Sequence, residues 1–258
     1  MIVYPKAKIK IGLRIIEKRP DGFHDLETFF FPAELSDILE VRESDKLAMF
    51  QYGTAIDSLP EDNICIKAYN AIKGDFNLPP VEIHLYKRIP VGAGLGGGSS
   101  DAANTLIALK KLFSLAIDEQ GLAEYAAKVG SDCPFFVYSS SLETAKGEGM
   151  LAHGRGELLT KISVPQLEGM KIKIEKPPVF VSTAEAYKGV VPKKSNIGLQ
   201  ELLSMPVESW KDNIVNDFEE SIFKKYPVIE EYKNKMYDQG AIYASMSGSG
   251  SAVFGIFR

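Results

Sequence analysis

The sequence predicts a mixed α+β protein, and three features of its 258 residues support this prediction. Segments in which apolar and polar residues alternate, as in strands, are interleaved with segments whose apolar residues recur at helical spacing. The segment 81–86 alternates in this way, whereas strands of a doubly wound parallel sheet are buried on both faces. A glycine-rich stretch at 147–156 marks a candidate boundary, and the length suits one large domain or two modest ones.

The composition excludes several classes of function. The chain has a formal net charge of −4, 45% hydrophobic and 25% charged residues, which is ordinary for a globular protein. It has no long basic run, so no nucleic acid partner is expected. Its first residues do not resemble a signal peptide, and no apolar run is long enough to span a membrane. Two cysteines provide neither a disulfide framework nor a zinc pattern, so we expect a cytoplasmic protein without a membrane partner.

The most informative segment is a glycine-rich loop at 89–103, which leads into a helix. Its five glycines suit backbone that approaches a ligand closely or adopts positive φ. Apolar residues recur at helical spacing over 101–113, so we expect Ser99 or Ser100 as the N-cap and Asp101 in the first turn. A glycine loop that feeds a helix N-terminus favours an anion, usually a phosphate. The alternative is a flexible surface loop.

Three phosphate-binding patterns can be compared with this loop. A Walker A loop requires a lysine where this chain has Gly98. The segment 92–97 satisfies G-x-G-x-x-G, and Asp118 lies where a Rossmann unit has its ribose-binding acid, but the alternating segment 81–86 is atypical of a Rossmann strand. The third pattern, P-x-G-x-G-L-G-G-G-S-S-x-A-A, resembles the nucleotide loop of the GHMP kinase superfamily.

The resemblance implies that ATP is bound and that this loop holds its phosphates. Asn63 is expected to cap a helix that continues through Ala71, and the resemblance adds a second role for it in the adenine pocket. A side chain at Gly94 is expected to weaken ATP binding more than the fold. Magnesium is expected with the nucleotide, without an indication of its ligands. The loop residues expected to bind ATP are Pro90, Val91, Gly92, Ala93, Gly94, Leu95, Gly96, Gly97, Gly98, Ser99 and Ser100.

Three basic residues share one face of a strand at 7–15, because the apolar residues there occupy alternate positions. This pattern alone favours a solvated edge strand on which Lys8, Lys10 and Arg14 deter aggregation. The segment also matches A-K-[ILV]-x-[IL]-x-L, a motif of the superfamily. This resemblance implies that Lys8 is a catalytic cation. Lys10 stands where relatives usually have asparagine, and we expect it to contact the substrate.

The segment Gly130-Ser131-Asp132-Cys133-Pro134 contains the candidate general base. An aspartate before a proline-containing turn is usually a cap or turn residue. The segment, however, resembles the catalytic motif of the superfamily, whose aspartate accepts a proton. Phosphoryl transfer to an alcohol needs a carboxylate for the hydroxyl proton and a cation near the developing charge. Asp132 and Lys8 are therefore the expected catalytic pair.

The candidate substrate residues follow a predicted turn at 19–22. The motif K-R-x-D-G-[FY]-H is similar to that of the superfamily branch that phosphorylates the 2-hydroxyl of 4-diphosphocytidyl-2-C-methyl-D-erythritol, in the non-mevalonate isoprenoid route. The resemblance places His24 and Phe23, the latter often tyrosine in relatives, at the cytosine. It also places Tyr187 there, on a short helix that begins after Ser182. The structural alternatives are a hydrogen-bonded histidine and a core tyrosine.

A glycine-rich turn at 247–251 separates two predicted strands, Ala241–Met246 and Ala252–Phe257. By itself it is a hairpin turn. It also resembles the third motif of the superfamily, which implies that Gly248 and Ser249 lie beside the phosphates and substrate.

The resemblance covers nearly the whole chain and implies a two-domain α+β GHMP kinase fold. We expect a ribosomal-S5-like nucleotide domain at 1–155 and a ferredoxin-like layer at 156–258. We expect the second layer to be shortened, since relatives usually continue beyond Arg258 with a helix and a strand. The expected partner is a small-molecule substrate, bound by a monomer or homodimer. Two alternatives stay open: another small-molecule kinase, of the mevalonate or homoserine type, and a non-catalytic nucleotide sensor.

Overall fold

A computed structural model describes residues 1–56 and 59–258. The strands are β1 (Ile2–Val3), β2 (Lys6–Lys18), β3 (His24–Ser36), β4 (Ile38–Glu43), β5 (Ala48–Gly53), β6 (Val81–Lys87), β7 (Glu148–His153), β8 (Leu158–Ser163), β9 (Lys171–Glu175), β10 (Tyr243–Met246) and β11 (Val253–Phe257). The helices are α1 (Ile64–Ile72), α2 (Gly97–Leu112), α3 (Glu119–Val129), α4 (Cys133–Tyr138), α5 (Thr183–Gly189), α6 (Leu199–Leu203), α7 (Trp210–Asn213), α8 (Glu219–Lys225) and α9 (Pro227–Asp238). None of the helices within the described ranges has the length and apolar character that a membrane crossing requires.

The chain forms two compact units, and each is assembled from separate segments. The first unit consists of Met1–Ala7, Ala33–Val91 and Gly96–Ser141, and the second of Lys8–Pro32, Gly92–Leu95 and Leu142–Arg258. Strands β2 and β3 therefore contribute residues to both units, and so does the glycine loop. The domains expected at 1–155 and 156–258 stay a prediction, since these compact units are not continuous in sequence.

The first unit contains a four-stranded sheet and the helices α1 to α4. The strand order is β1-β4-β6-β5, with β5 and β6 parallel and the other neighbours antiparallel. Strand β6 alternates as the sequence predicts, with Val81, Ile83 and Leu85 fully buried. Helix α2 packs against α1, α3, α4 and β4. The α+β prediction is thereby confirmed, and the polar alternation of β6 follows from a sheet with one exposed face.

Helix α2 begins earlier than the sequence predicts. Its first residue is Gly97, and its N-cap is Gly96, which has a φ of 69° in the left-handed region. The prediction of Ser99 or Ser100 as the N-cap is therefore wrong, and Asp101 lies in the second turn rather than the first. Glycine has a low intrinsic helix propensity, but packing of a long helix outweighs such a preference.

The second unit contains two sheets and the helices α5 to α9. One sheet has the order β2-β3-β7-β8, and the other has the order β10-β11-β9 with antiparallel neighbours. Buried side chains of β2, α8, α9 and the second sheet form one core cluster, whose members include Leu13, Phe218, Ile229, Met236 and Val253. This cluster holds α9 against the second sheet.

The basic face of β2 is not the solvated edge that its pattern favours. Lys8 is 2% exposed and Arg14 is 9% exposed. The Arg14 guanidinium donates to Glu27 at 3.2 Å and to the carbonyl oxygen of Ile197 at 2.6 Å. Burial of a basic side chain is costly unless it is partnered, so these side chains are built into the fold rather than displayed at its surface.

Candidate active site

The part of the glycine loop that belongs to the second unit is fixed by the turn between β10 and β11. The Ser247 hydroxyl donates to the carbonyl oxygen of Gly94 at 3.0 Å. The amide of Ala252 donates to the carbonyl oxygen of Ala93 at 3.1 Å. The amide of Lys8 donates to the carbonyl oxygen of Leu95 at 2.9 Å. This segment is therefore held by backbone contacts on two sides, which excludes the flexible surface loop for these residues.

The part of the loop that belongs to the first unit exposes the start of α2. The N-cap Gly96 provides no side-chain hydrogen bond to the helix, and Gly98 is exposed. A Cβ added at Gly98 would meet no atom closer than Ile64 Cγ2 at 4.0 Å. First-turn amides of a helix have no partners within the helix, and they favour an anion. Of the other residues expected to bind ATP here, Val91 is 43% exposed, Pro90 is half-buried and Ser100 is buried.

Lys8 and Lys10 both lie beside one aromatic ring in the second unit. The Nζ of Lys8 is 4.8 Å from the centroid of the Phe30 ring, and that of Lys10 is 5.0 Å from it. The amide of Lys10 also donates to the Ser247 hydroxyl oxygen at 3.3 Å. Stacking on Phe30 restricts two long cationic side chains to one region. These ammonium groups lie on the strand that also contacts Leu95 of the loop.

Asp132 occupies the N-cap position of α4, in the first unit. It is half-buried, has helical dihedral angles and makes no side-chain capping hydrogen bond. The adjacent Cys133 thiol is hydrogen-bonded to Ser99 of α2, and burial, opposed by this bond, raises the pKa of that thiol to about 11. The Asp132 segment is thereby connected to the first turn of α2.

Asn63 has the structural role that its position predicts. Its Oδ1 accepts a hydrogen bond from the amide of Cys65 at 2.9 Å, which caps α1, and its Nδ2 is 3.5 Å from Gln51 Oε1. The side chain is 4% exposed. The helix-cap prediction is confirmed, and the adenine-pocket role stays a prediction.

The three aromatic residues expected at the cytosine lie in the second unit, where two of them stack on each other and the third packs against an arginine. The ring of His24 stacks on Tyr187 with 4.9 Å between centroids and 25° between planes. Tyr187 in turn contacts Phe218 edge to face, at 4.9 Å. Phe23 is 54% exposed, and the Arg155 guanidinium lies 4.9 Å from its centroid. His24 and Tyr187, which are 163 positions apart by number, are thus brought together by the fold.

Gly248 and Ser249 lie at the turn that contacts the glycine loop. Gly248 has a φ of 59°, and a Cβ added there would be 3.4 Å from the Gly94 carbonyl oxygen and 3.6 Å from Lys10 Cδ. The hydroxyl of Ser249 lies 3.3 Å from that of Thr183, at the start of α5. The structure therefore places Gly248 next to both Lys10 and the loop.

Three residues near these groups were not identified from the sequence. Asn216 donates from Nδ2 to the carbonyl oxygens of Met246 and Gly248, both at 2.8 Å, and so fixes the turn. Ser247 is buried and joins the turn to the loop. Phe180 is 64% exposed and lies against Gly92, where an added Cβ would overlap its ring. An asparagine at a predicted helix start reads as a cap, and an isolated aromatic residue has no local pattern that distinguishes it.

The described ranges contain no group of three or more His, Cys, Asp or Glu side chains that could hold a metal ion. Magnesium usually keeps several waters and is bound through substrate phosphates and one or two carboxylates. The described side chains therefore do not form a metal cage of their own.

Two family models match the chain. The model described as GHMP kinases N terminal domain matches residues 63–140, and the model described as GHMP kinases C terminal matches residues 199–258. The first match contains Asn63, the loop from 89 onward and Asp132. The second match contains the turn with Gly248 and Ser249.

Curated relatives are similar over the full length of the chain. A protein of Bacteroides thetaiotaomicron named 4-diphosphocytidyl-2-C-methyl-D-erythritol kinase is 48% identical over 100% of this chain and 92% of its own length. A protein of the same name from Cytophaga hutchinsonii is 44% identical over 100% of this chain and 93% of its own length.

Solved structures agree with these matches. A crystal structure titled 4-(cytidine 5'-diphospho)-2C-methyl-D-erythritol kinase has a TM-score of 0.81 and 32% identity, and the match covers 99% of this chain and 90% of that chain. A mevalonate kinase structure has a TM-score of 0.65 at 16% identity, over 100% of this chain and 91% of that one, which shows a shared fold only. This chain belongs to the GHMP kinase family and has its two-domain α+β fold.

Proposed function

We propose that this protein transfers the γ-phosphoryl group of ATP to the 2-hydroxyl of 4-diphosphocytidyl-2-C-methyl-D-erythritol. The observation that carries the proposal is the 44–48% identity, over the whole chain, to relatives named as kinases of this compound. In the reaction the bond between the γ-phosphorus and the β,γ-bridging oxygen breaks, a bond from the acceptor oxygen to phosphorus forms, and ADP leaves.

The glycine loop is the proposed site for the ATP phosphates. Gly98 is exposed and has space around it, and α2 presents its uncapped N-terminus there. The dipole of a 16-residue helix favours negative charge at this end. Magnesium would enter with the nucleotide and would neutralise charge on the phosphates. Removal of divalent ions with EDTA should therefore abolish turnover, and added magnesium should restore it.

Asp132 and Lys8 are the proposed catalytic residues. The Asp132 carboxylate accepts the proton of the acceptor hydroxyl as this oxygen attacks phosphorus. The buried Lys8 ammonium stabilises the negative charge that develops on the transferred group. A charge held in a buried place acts more strongly than the same charge in water.

His24, Phe23 and Tyr187 are the proposed contacts of the cytosine, and Lys10 is a proposed contact of the substrate diphosphate. Aromatic rings stack on a nucleobase, and an imidazole can form hydrogen bonds with its edge. The stacked pair of His24 and Tyr187 supports this assignment, because it gathers both groups at one place. An acceptor without a nucleobase would have no group to stack on these rings or to form hydrogen bonds with the imidazole.

The test is an acceptor panel with the full chain and magnesium–ATP. We expect turnover with the diphosphocytidyl compound, and about 10⁴-fold or more lower kcat/KM with methylerythritol phosphate, mevalonate and homoserine. Comparable rates on an acceptor without a nucleobase would contradict the proposed substrate, and absence of all turnover would favour the nucleotide sensor.

A histidine substitution separates the base contact from the chemistry. His24→Ala should raise the KM of the diphosphocytidyl acceptor more than it lowers kcat, since the cytosine lies away from the reacting hydroxyl. His84→Ala is the matched control, because His84 lies on β6 in the first unit, and it should leave both constants unchanged. An unchanged KM in His24→Ala would remove this residue from the base site.

A further inference from the structure

A buried cluster of three charged residues lies at the two ends of the glycine loop, within the first unit. Lys87 ends β6, just before the loop segment 89–103, and Asp101 lies in α2, near the other end of that segment. Lys87 Nζ is 2.8 Å from Asp101 Oδ2 and also donates to Asp37. The side chains of Lys87, Asp37 and Asp101 are 2%, 0% and 1% exposed. Charged groups are rarely buried to this degree unless they are paired.

The same cluster fixes the backbone on both sides of the loop. Asp37 Oδ1 accepts hydrogen bonds from the amides of Arg88 and Ile89, the latter at 2.8 Å. A Cβ added at Gly97 would lie 2.8 Å from Ile89 Cγ2 and 2.9 Å from Lys87 Nζ, so the glycine at the start of α2 leaves room for both side chains. The backbone that precedes the loop and the helix that follows it are thus connected through Lys87.

The charges of the cluster do not balance if both carboxylates are ionised. One ammonium group then faces two carboxylates, and a net negative charge stays buried, which costs free energy. Oδ1 of Asp101 is buried and has no hydrogen-bond partner among the described residues, and burial of such an oxygen costs more on an ionised carboxylate than on a neutral carboxyl group. Asp37, by contrast, accepts from Lys87 and from two backbone amides. Asp37 is therefore the better ionised partner of the two.

We propose that Lys87, Asp37 and Asp101 are positioning residues for the nucleotide, which hold the two ends of the glycine loop together while Asp101 carries a proton. They do not touch the phosphates. They act by fixing where the loop backbone and the first turn of α2 lie. Because a displacement of about 1 Å can cost two orders of magnitude in a preorganised site, loss of the cluster affects ATP before it affects the acceptor.

The electrostatic surroundings agree with a proton on Asp101. Burial raises the pKa of Asp101 to about 8, with Lys87 opposing this rise and Asp37 adding to it. Burial would lower the pKa of Lys87, but the two carboxylates raise it above its usual value. Cys65 of α1 also faces the cluster, and burial together with the charge of Asp101 raises the pKa of its thiol, so it stays neutral.

The first experiment measures ATP affinity by equilibrium titration of the full-length protein. In the double variant Lys87→Met/Asp37→Asn, both members of the ion pair become neutral, so no unpaired charge stays buried, and the side-chain oxygen at position 37 can still accept from the amides of Arg88 and Ile89. We expect its Kd for ATP to rise about 10- to 100-fold, with an unchanged KM for the diphosphocytidyl acceptor. Arg42→Met is the matched control, since it removes a cation from an exposed ion pair with Glu82 on the same sheet. It should leave the Kd unchanged.

The second experiment uses Asp101→Asn, which has the shape of the protonated acid and cannot ionise. We expect its Kd for ATP to match that of the wild type at about pH 6.5. As the pH rises above about 8, the wild type should lose affinity because Asp101 ionises, whereas the variant should not. A role in stability alone would not produce this difference between two folded proteins. If the double variant fails to fold, this pH profile decides the question by itself.

Two results would overturn the inference: a folded double variant with wild-type affinity for ATP, or identical pH profiles for the wild type and Asp101→Asn. The inference rests on the proposed nucleotide role of the loop, and its readout is binding rather than turnover. If the wild-type protein binds ATP but does not phosphorylate the diphosphocytidyl acceptor, the proposed substrate is contradicted. The ATP affinities of the variants would still test this inference.

Discussion

At the scale of single residues, two aspartates occupy the N-cap positions of helices, and only one of them makes a side-chain capping hydrogen bond. The Asp118 carboxylate caps α3 by accepting the amide of Gly121 at 2.8 Å. Asp132 stands at the same position relative to α4 and makes no such bond. Helix capping therefore accounts for Asp118, and it does not by itself account for Asp132.

The first prediction compares these two aspartates. Asp132→Asn keeps the size and polarity of the side chain but removes the proton acceptor, so kcat should fall about 10²- to 10⁴-fold. The Kd for ATP should stay the same. Asp118→Asn retains a capping oxygen and should keep wild-type turnover. Steady-state kinetics combined with ATP titration measure both quantities. Near wild-type kcat in Asp132→Asn would show that the carboxylate is not the base.

The second prediction concerns two lysines on β2. Lys8→Met keeps the aliphatic stem against Phe30 and removes the buried charge, so the rate should fall about 10²- to 10³-fold. Lys6→Met removes a charge from the same strand, where the Lys6 side chain is 47% exposed and its ion pair with Glu34 contributes little. It should therefore keep its activity. Equal losses in the two variants would point to the strand rather than to the Lys8 ammonium.

Residues whose partners are close in sequence could be predicted, and residues whose partners are distant could not. The cap Asn63 accepts from the amide two positions ahead, so its local pattern identifies it. Ser247 reaches Gly94 across 153 positions, and Lys87 reaches Asp37 across 50. A lysine and two aspartates so far apart look like ordinary surface charges until the fold buries them.

At the scale of elements, the glycine loop combines positions of two kinds. Gly94 has a φ of 77°, and a Cβ there would overlap the carbonyl oxygen of Ser247. A side chain at Gly94 therefore disturbs the fold directly, contrary to the expectation that it would chiefly weaken ATP binding. Gly98 lies in α2 without such a neighbour, so folding does not require glycine at this position.

The third prediction uses this contrast. Gly98→Ala should leave the Tm unchanged or slightly raised, because alanine in a helix is favoured over glycine by about 0.5–1 kcal/mol. Its Kd for ATP should rise about tenfold or more, because the added methyl group would lie in the proposed phosphate site. Gly94→Ala should lower the Tm, since it has both an unfavourable φ and a clash with backbone. Thermal melts and nucleotide titrations of the two variants measure these effects. Unchanged ATP affinity in Gly98→Ala would place the phosphates elsewhere.

Most elements were foreseen from their periodicity, and the start of α2 was not. Strand β6 and the strands β10 and β11 lie where alternation or short apolar runs between turns predict them. The first turn of α2 consists of glycines and serines, which are poor helix formers. Its packing against three helices and a strand overrides that local preference, and packing of this kind is not visible in a local pattern.

At the scale of the whole molecule, the fold class followed from ordered motifs, but the interleaving of the two units did not. Strands β2 and β3 each begin in one unit and end in the other, and residues 92–95 belong to the second unit while their neighbours belong to the first. No composition change marks these crossings. A domain boundary placed at the glycine-rich stretch 147–156 divides the sequence into two continuous parts. The residue contacts instead group segments that are separate in sequence.

The fourth prediction is that the two units unfold together. The one tryptophan, Trp210, is buried in the second unit, and the two cysteines, Cys65 and Cys133, are buried in the first. Tryptophan fluorescence and thiol reactivity therefore report on different units. Because β2 and β3 belong to both, disruption of one unit removes strand residues from the other, and the two probes should give the same midpoint in urea. Thiol exposure at a clearly lower urea concentration than the fluorescence change would show separate unfolding.

The bond between Ser247 and Gly94 also sets an order of events during protein synthesis. Ser247 is joined to the growing chain 153 residues after Gly94, which takes roughly 8–30 s at about 5–20 residues per second. During this interval neither the Ser247 hydroxyl nor the Ala252 amide exists to hold residues 92–95. The glycine loop therefore reaches its final conformation only after translation has passed β10, and a nascent chain that already contains the whole loop is still unable to hold it in place.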